Sequence, residues 1–176
     1  MIEINHYNEI FHQHLDDDIP VYFAELDPPT LSDVAKFEEL IGCTFPADFK
    51  CFITNYCNGF YAEVNEDVWP RKQGGAYWMF QYGLMVYGLD SGCPDWISLR
   101  DEVIDFRKNN KTDLTPCMKT VSSADPYCFT PSGELVKWNH ETWEPEPVNK
   151  SFFEAFRDEL KSLHEYKEKA RQELKA

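Results

Sequence analysis

Between Thr30 and Gly59 the chain carries two apolar stripes of helical period, separated by a stop. Leu31, Val34, Phe37, Leu40 and Ile41 form the first; Phe49, Phe52, Ile53 and Tyr56 form the second. Spacing of i, i+3, i+4, i+7 places such residues on one side of a helix, which must then be covered. Thr30 can cap the first helix, and Asp33 in the following turn is favoured by the helix dipole. Gly42 supplies a left-handed stop, and Pro46 suits the first position of the next helix, where its missing N–H costs nothing. Asn58-Gly59 closes the pair.

The flanking sequence provides what this helix pair packs against. Tyr7, Ile10, Phe11 and Leu15 predict a helix over about 5–15, ended by Asp16–Asp18 before Pro20. "EVNEDVWPRKQGGAY" reads as a long loop or irregular hairpin, whereas "YWMFQYGLMVYGLD" is apolar on both alternating faces, as in a buried central strand. Helical spacing returns through Leu99, Val103, Ile104 and Phe106. "CMKTVS", "YCFT" and "ELVKWNH" read as short strands, the last two joined by a turn at Pro131-Ser132-Gly133. After "EPEPVNK", Ser151 caps a terminal helix that buries Phe152, Phe153, Phe156, Leu160 and Leu163. Beyond these the helix is mostly charged. Leu160, Leu163, Lys167, Ala170 and Leu174 keep a 3-4 spacing, which suits a thin seam for a partner or a solvated, fraying end. The expected fold is a single α+β domain: an antiparallel (mixed) twisted sheet flanked by helices.

Charge narrows the partners. Asp and Glu number 31 against 17 Lys and Arg, a formal net charge of −14. Such a surface repels nucleic acid and anionic lipid and speeds association with basic proteins. The acidic start "MIEINHYNEIFHQHLDDD" lacks the basic and apolar regions of a secretory signal, and no apolar run is long enough to span a bilayer. A soluble, cytoplasmic protein is expected, with neither nucleic acid nor membrane as partner.

The residues of chemical interest do not assemble into a recognisable site. Six cysteines contain no C-x-x-C and no Cys–His knuckle. Cys51 and Cys57, six residues apart on a helix, are separated by about 240° at 100° per residue, so free thiols that pack are expected. His12 and His14 lie nearly opposite each other on a helix and cannot share a metal. Cys93 with His140 as base is conceivable as a nucleophile pair, yet neither has the flanking signature of such enzymes. "PCMKT" lacks the second cysteine of nucleobase deaminases, "HETWE" lacks the second histidine of a zincin, and Gly83-x-x-x-x-Gly88 lacks the Lys-Ser/Thr of a phosphate loop. No enzyme activity, metal or cofactor is expected.

The order of motifs resembles the SUKH superfamily. Phe37-Glu38, Gly42, Phe45-Pro46, Asp48-Phe49, Phe52 and Asn58-Gly59 follow its signature in sequence. "VYGLD" at 86–90 looks like its strand before the middle helix, "DPYCFTPSGELVKWNHET" like its late hairpin, and "SFFEAFRDEL" like its closing helix. Cys57 before Asn58-Gly59 and Phe60 after it depart from the pattern. The resemblance implies a SUKH-like domain over 27–160, with 1–26 as an N-terminal helical extension and 161–176 as a charged helical tail. It also implies a non-catalytic binding protein, monomeric or weakly dimeric. Bacterial members of this kind are mostly immunity proteins that neutralise a cognate toxin domain, such as a basic nuclease. The other implied role is a scaffold or regulator of cell-wall synthesis. Carboxylates beside aromatic anchors are then the candidate partner-binding residues: Asp16, Asp17 and Asp18; Glu63, Glu66 and Asp67 with Trp69; Asp95 with Trp96.

Overall fold

The computed structural model describes residues 4–22, 27–56, 58–69, 83–89, 92–120 and 123–174. Among these the helices are α1 (Ile4–His14), α2 (Leu31–Ile41), α3 (Ala47–Asn55), α4 (Leu99–Asn110) and α5 (Phe152–Leu174), with a 3₁₀ turn at Asp95–Ile97. The strands are β1 (Val21–Tyr22), β2 (Phe60–Glu63), β3 (Gly83–Val86), β4 (Thr115–Thr120), β5 (Ser123–Phe129), β6 (Leu135–Asn139) and β7 (Glu144–Pro147). They form one seven-stranded sheet in the order β1-β2-β3-β4-β5-β6-β7, and every neighbouring pair is antiparallel. This is the α+β domain expected from the sequence.

Side chains alternate across a strand, so β5 shows which helices cover which face. Cys128 packs with Phe106 of α4 and with Leu114 and Trp138. Its neighbours point the other way: Phe129 meets Phe49 of α3 at 5.0 Å between ring centroids, and the Tyr127 hydroxyl donates to Glu159 of α5 at 2.8 Å. The α3/α5 side holds a continuous aromatic core in which Tyr7, Phe49, Phe52, Phe60, Phe129, Phe152 and Phe156 are almost wholly buried. Most of their rings meet edge-on or tilted, for example Phe49–Phe152 at 4.9 Å and Phe60–Phe156 at 5.3 Å, while Phe152 and Phe156 stack, the geometries that aromatic quadrupoles favour. Burial of one such ring is worth roughly 2–3 kcal/mol.

The caps form as the sequence predicts, with one small shift. Thr30 and Asp33 make a reciprocal capping box, and Gly42 ends α2 at φ 65°. Pro46 sits one place earlier than expected, as the N-cap of α3, whose first helical residue is Ala47. Gly133 takes φ 87° in the β5–β6 turn, and its N–H donates to Thr130 O at 2.9 Å.

Other expectations are corrected by packing. Leu31, Leu40 and Ile104 do not join the core; they are exposed, because only one flank of α2 and of α4 faces the sheet. The end of α5 is no solvated tail: Leu163, Lys167 and Ala170 are buried against the rest of the chain, and of that seam only Leu174 is exposed. β1, β2 and β7 are strands that the sequence reading left unassigned, apart from Glu63 at the start of the expected loop. Within "YWMFQYGLMVYGLD", Gly83–Val86 is a fully buried strand as read; residues 77–82 of that stretch, Cys57 and the pair Gly74-Gly75 lie outside the described residues.

Candidate partner-binding surface

The residues of the helix-pair motif build the fold. Glu38 is the hinge of the α2–α3 corner: its backbone carbonyl accepts from the N–H of Gly42 and of Cys43 (2.9 and 3.2 Å). Its carboxylate accepts from Phe45 N at 2.5 Å and pairs with Lys50 at 2.8 Å. Asp48, 8% exposed, accepts from Phe49 N and from Phe153 N, both at 2.9 Å, so it caps α5 from another helix. Buried Asn58 accepts from Leu89 N at 2.6 Å through its side-chain oxygen. Gly88 packs against this turn so closely that a Cβ there would lie 2.6 Å from Asn58 C and from Gly59 N.

The described cysteines are free thiols, and Cys43, Cys117 and Cys128 are buried. Burial raises the pKa of the Cys43, Cys51, Cys117 and Cys128 thiols above the ordinary value, so they stay neutral near pH 7. Cys93 donates to Asn58 O at 3.0 Å, whereas His140 lies against Asp125, 2.5 Å from its carboxylate. The two residues thus contact different elements. Among the described residues no group of three or more His, Cys, Asp or Glu could hold a metal. No described helix is long and apolar enough to cross a membrane.

The sequence-chosen candidates fall into two surface groups. In the first, Asp16–Asp18 form the turn after α1, and Asn65 ties that turn to the loop following β2 by donating to Asp18 O and Asp17 O, both at 2.9 Å. Glu66 and Asp67 are exposed on this loop, and Trp69 stacks on exposed Tyr166 of α5 at 5.9 Å. Asp17, Glu66, Asp67, Trp69 and Tyr166 therefore share one acidic, aromatic surface. Asp16 and Asp18 reach toward α5, Asp16 staying exposed and Asp18 half-buried. Asp16 pairs with Lys167, whose side chain has no exposed surface, and Asp18 pairs with Arg171. Burial opposes ionisation of Asp16, but hydrogen bonds from Lys167 and from Asp18 N more than offset it and hold its carboxyl below the usual range. Burial likewise opposes the Lys167 charge, and its bonds to Asp16 and Glu168 raise it above the usual value.

The second group is carried by the 3₁₀ turn and the β1–β2 edge. Trp96, 43% exposed, meets Tyr61 edge-on at 5.6 Å, and Tyr61 meets Tyr22 at 5.8 Å. Asp95 is exposed beside them, and Glu63 shares the face of Tyr61 two residues along β2. Sequence reading missed Tyr22, Tyr61 and Tyr166, because a tyrosine near an apolar stripe gives no sign of which side of the sheet or helix it will take. It also missed Trp143, 61% exposed, whose signal was present: a lone tryptophan in the polar run "NHETWEPE".

A seven-stranded antiparallel sheet with helices on both faces, entered through a capped helix pair locked by Glu38, Asp48 and Asn58, defines the class of this molecule. Residues 28–158 match the SMI1 / KNR4 family (SUKH-1), and the chain belongs to that family. The match stops short of α1 and of most of α5, the two segments that Asp16, Asp18, Lys167 and Arg171 join. No curated protein matches the chain.

Proposed function

We propose that this protein is a cytoplasmic immunity protein that binds a cognate toxin domain in a one-to-one complex and transforms no substrate itself. One observation carries the reading. The family-signature side chains Glu38, Asp48 and Asn58 are committed to backbone N–H groups of the fold. Outside them the chain presents carboxylates grouped around exposed aromatic rings on a molecule of formal charge −14. Acidic surfaces of this kind attract a basic enzyme and accelerate encounter, and aromatic side chains supply the desolvated anchors that dominate affinity.

Co-expression tests the reading. Any toxin domain encoded beside this chain is produced with and without it, and survival is scored. Protection, with a one-to-one complex whose association slows at least tenfold between 50 and 500 mM salt, is the expected result. Survival unaffected by the chain sinks it.

The second reading is a scaffold in cell-wall synthesis. The Trp69/Tyr166 group lies on α5, whereas Tyr61 with Trp96 lies on the sheet face away from α5; this favours it, since two faces can hold two partners at once. A wall-composition change on deletion, without any protected toxin, would establish that role instead.

A further inference from the structure

A cleft of about 600 Å³ opens where the start of α5 meets the β5–β6 turn and the end of β7. Its floor is apolar, made by Pro46, Leu135, Val136, Pro147 and Phe152. Its rim carries Glu134 and Glu154 and one cation, Lys150, all exposed. From Pro147 the edge strand runs back about 13 Å to Trp143, at 3.3 Å per residue. Along it Glu146 and Glu144 pair with Lys137 and Asn139, which places them on the same sheet face as Leu135. Residues 131–154 hold five glutamates and two lysines, and both lysines are engaged locally. Lys150 bonds Asp158 at 3.0 Å, and Lys137 lies over the Tyr127 ring at 5.1 Å.

Trp143 is built outward at a cost. It takes φ 59°, a conformation about 1–2 kcal/mol unfavourable for a bulky residue. The turn is held by Asn139, whose side-chain oxygen accepts from Glu141 N and Thr142 N (2.9 and 3.2 Å) and whose amide donates to Glu146 at 2.7 Å. Its backbone oxygen accepts from Trp143 N at 2.9 Å. His140 adds a strut to Asp125. An exposed indole on a fixed turn has only two side-chain torsions to lose on docking, the quality that suits an interface anchor.

We infer that the cleft, the β7 edge and Trp143 form one docking face for a cationic segment of a protein partner. A Lys or Arg side chain fits it by laying its aliphatic stem on Pro46, Val136 and Pro147 with its charge at Glu134, while Trp143 covers a second cation of the same segment. Edge-strand addition is not the mode, since Pro145 and Pro147 alternate along β7 and offer no N–H to an added strand. The inference deepens the toxin-binding reading by assigning its surface.

The test is a backbone-amide NMR titration of the full chain with the synthetic peptide amide Arg-Leu-Arg-Leu-Arg, and with Glu-Leu-Glu-Leu-Glu as control. Shifts confined to 133–136, 143–147, 150–154 and the Trp143 indole are expected for the basic peptide alone. Trp143→Ala should weaken binding about tenfold, and Glu144→Gln with Glu146→Gln should flatten its salt dependence, with the remaining spectrum unchanged. Shifts centred on Asp17, Glu66 and Asp67, or equal affinity of the Trp143→Ala chain, overturn the inference. So do concentration-dependent shifts at the cleft without peptide, because a second copy of the chain would then be its occupant. The two proposals separate cleanly. Peptide bound here by a chain that protects no cell retains the face and removes the immunity role; protection that persists with Trp143→Ala, with shifts elsewhere, does the reverse.

Discussion

Asp48 joins two helices whose bonded residues are 105 positions apart, Asp48 itself on α3 and Phe153 on α5. One carboxylate oxygen accepts from Phe49 N and the other from Phe153 N, while the Asp48 backbone oxygen accepts from the Tyr7 hydroxyl of α1 at 3.0 Å. Burial, chiefly, and the Asp48 charge raise the Tyr7 hydroxyl far above its usual pKa, so it remains a donor. Replacing Asp48 with Ala leaves helix-terminal N–H groups without their acceptor, which costs about 2 kcal/mol. Asp48→Asn, which keeps an acceptor but loses the charge that complements the α5 dipole, should cost about half as much. Urea titrations of the three proteins check the order, and equal midpoints would contradict the interhelical cap. The sequence shows Asp48 near a helix start; it does not show that the second helix it caps is α5.

At the scale of elements, β7 is the least legible part of the fold. Glu and Pro are both depleted in strands, so "EPEP" reads as a connection. It becomes a strand because β6 offers a free edge and the turn fixed by Asn139 returns the chain beside it. Proline then serves the edge: at alternate positions it denies an incoming strand its donors. Pro145→Thr with Pro147→Thr should restore those donors and raise self-association, seen as concentration-dependent sedimentation; a strictly monomeric double variant would refute this. β1 and β2 escaped reading for a related reason, being two and four residues long and stabilised by neighbours distant in sequence.

For the whole molecule, the two chain ends act as one element. α1 and the last turns of α5 flank the domain matched by the family, and the Asp16–Lys167 and Asp18–Arg171 pairs join them. His164 Nδ1 lies 3.1 Å from His14 O at the same junction. Because Asp16 is held below its unfolded value of 3.8, its contribution is complete above that pH and is lost as pH falls through the lower folded value. Asp16→Asn should therefore destabilise the protein by about 1 kcal/mol at pH 6.5, discounted for the exposure of the carboxylate. The difference from wild type should be smaller at pH 3 than at pH 6.5. Urea midpoints at both values decide, and a gap that stays constant with pH would show that the pair contributes nothing.

What the sequence alone determined is local. Helix period, the Thr30–Asp33 cap, the Gly42 stop and the Gly133 turn depend on residues within a few positions of one another, so their chemistry is readable in order. The family signature carried the fold class for the same reason: Glu38, Gly42, Phe45 and Lys50 meet within one corner. Only the tertiary structure decided that Leu40 and Ile104 stay in water, that Asp16 and Asp18 hold α5 while Asp17 faces out, and that an acidic strand borders an apolar cleft. Those outcomes depend on which flank of each helix meets the sheet and which distant strand finds an edge. Contacts across a hundred residues set them, and no short stretch of sequence contains that information.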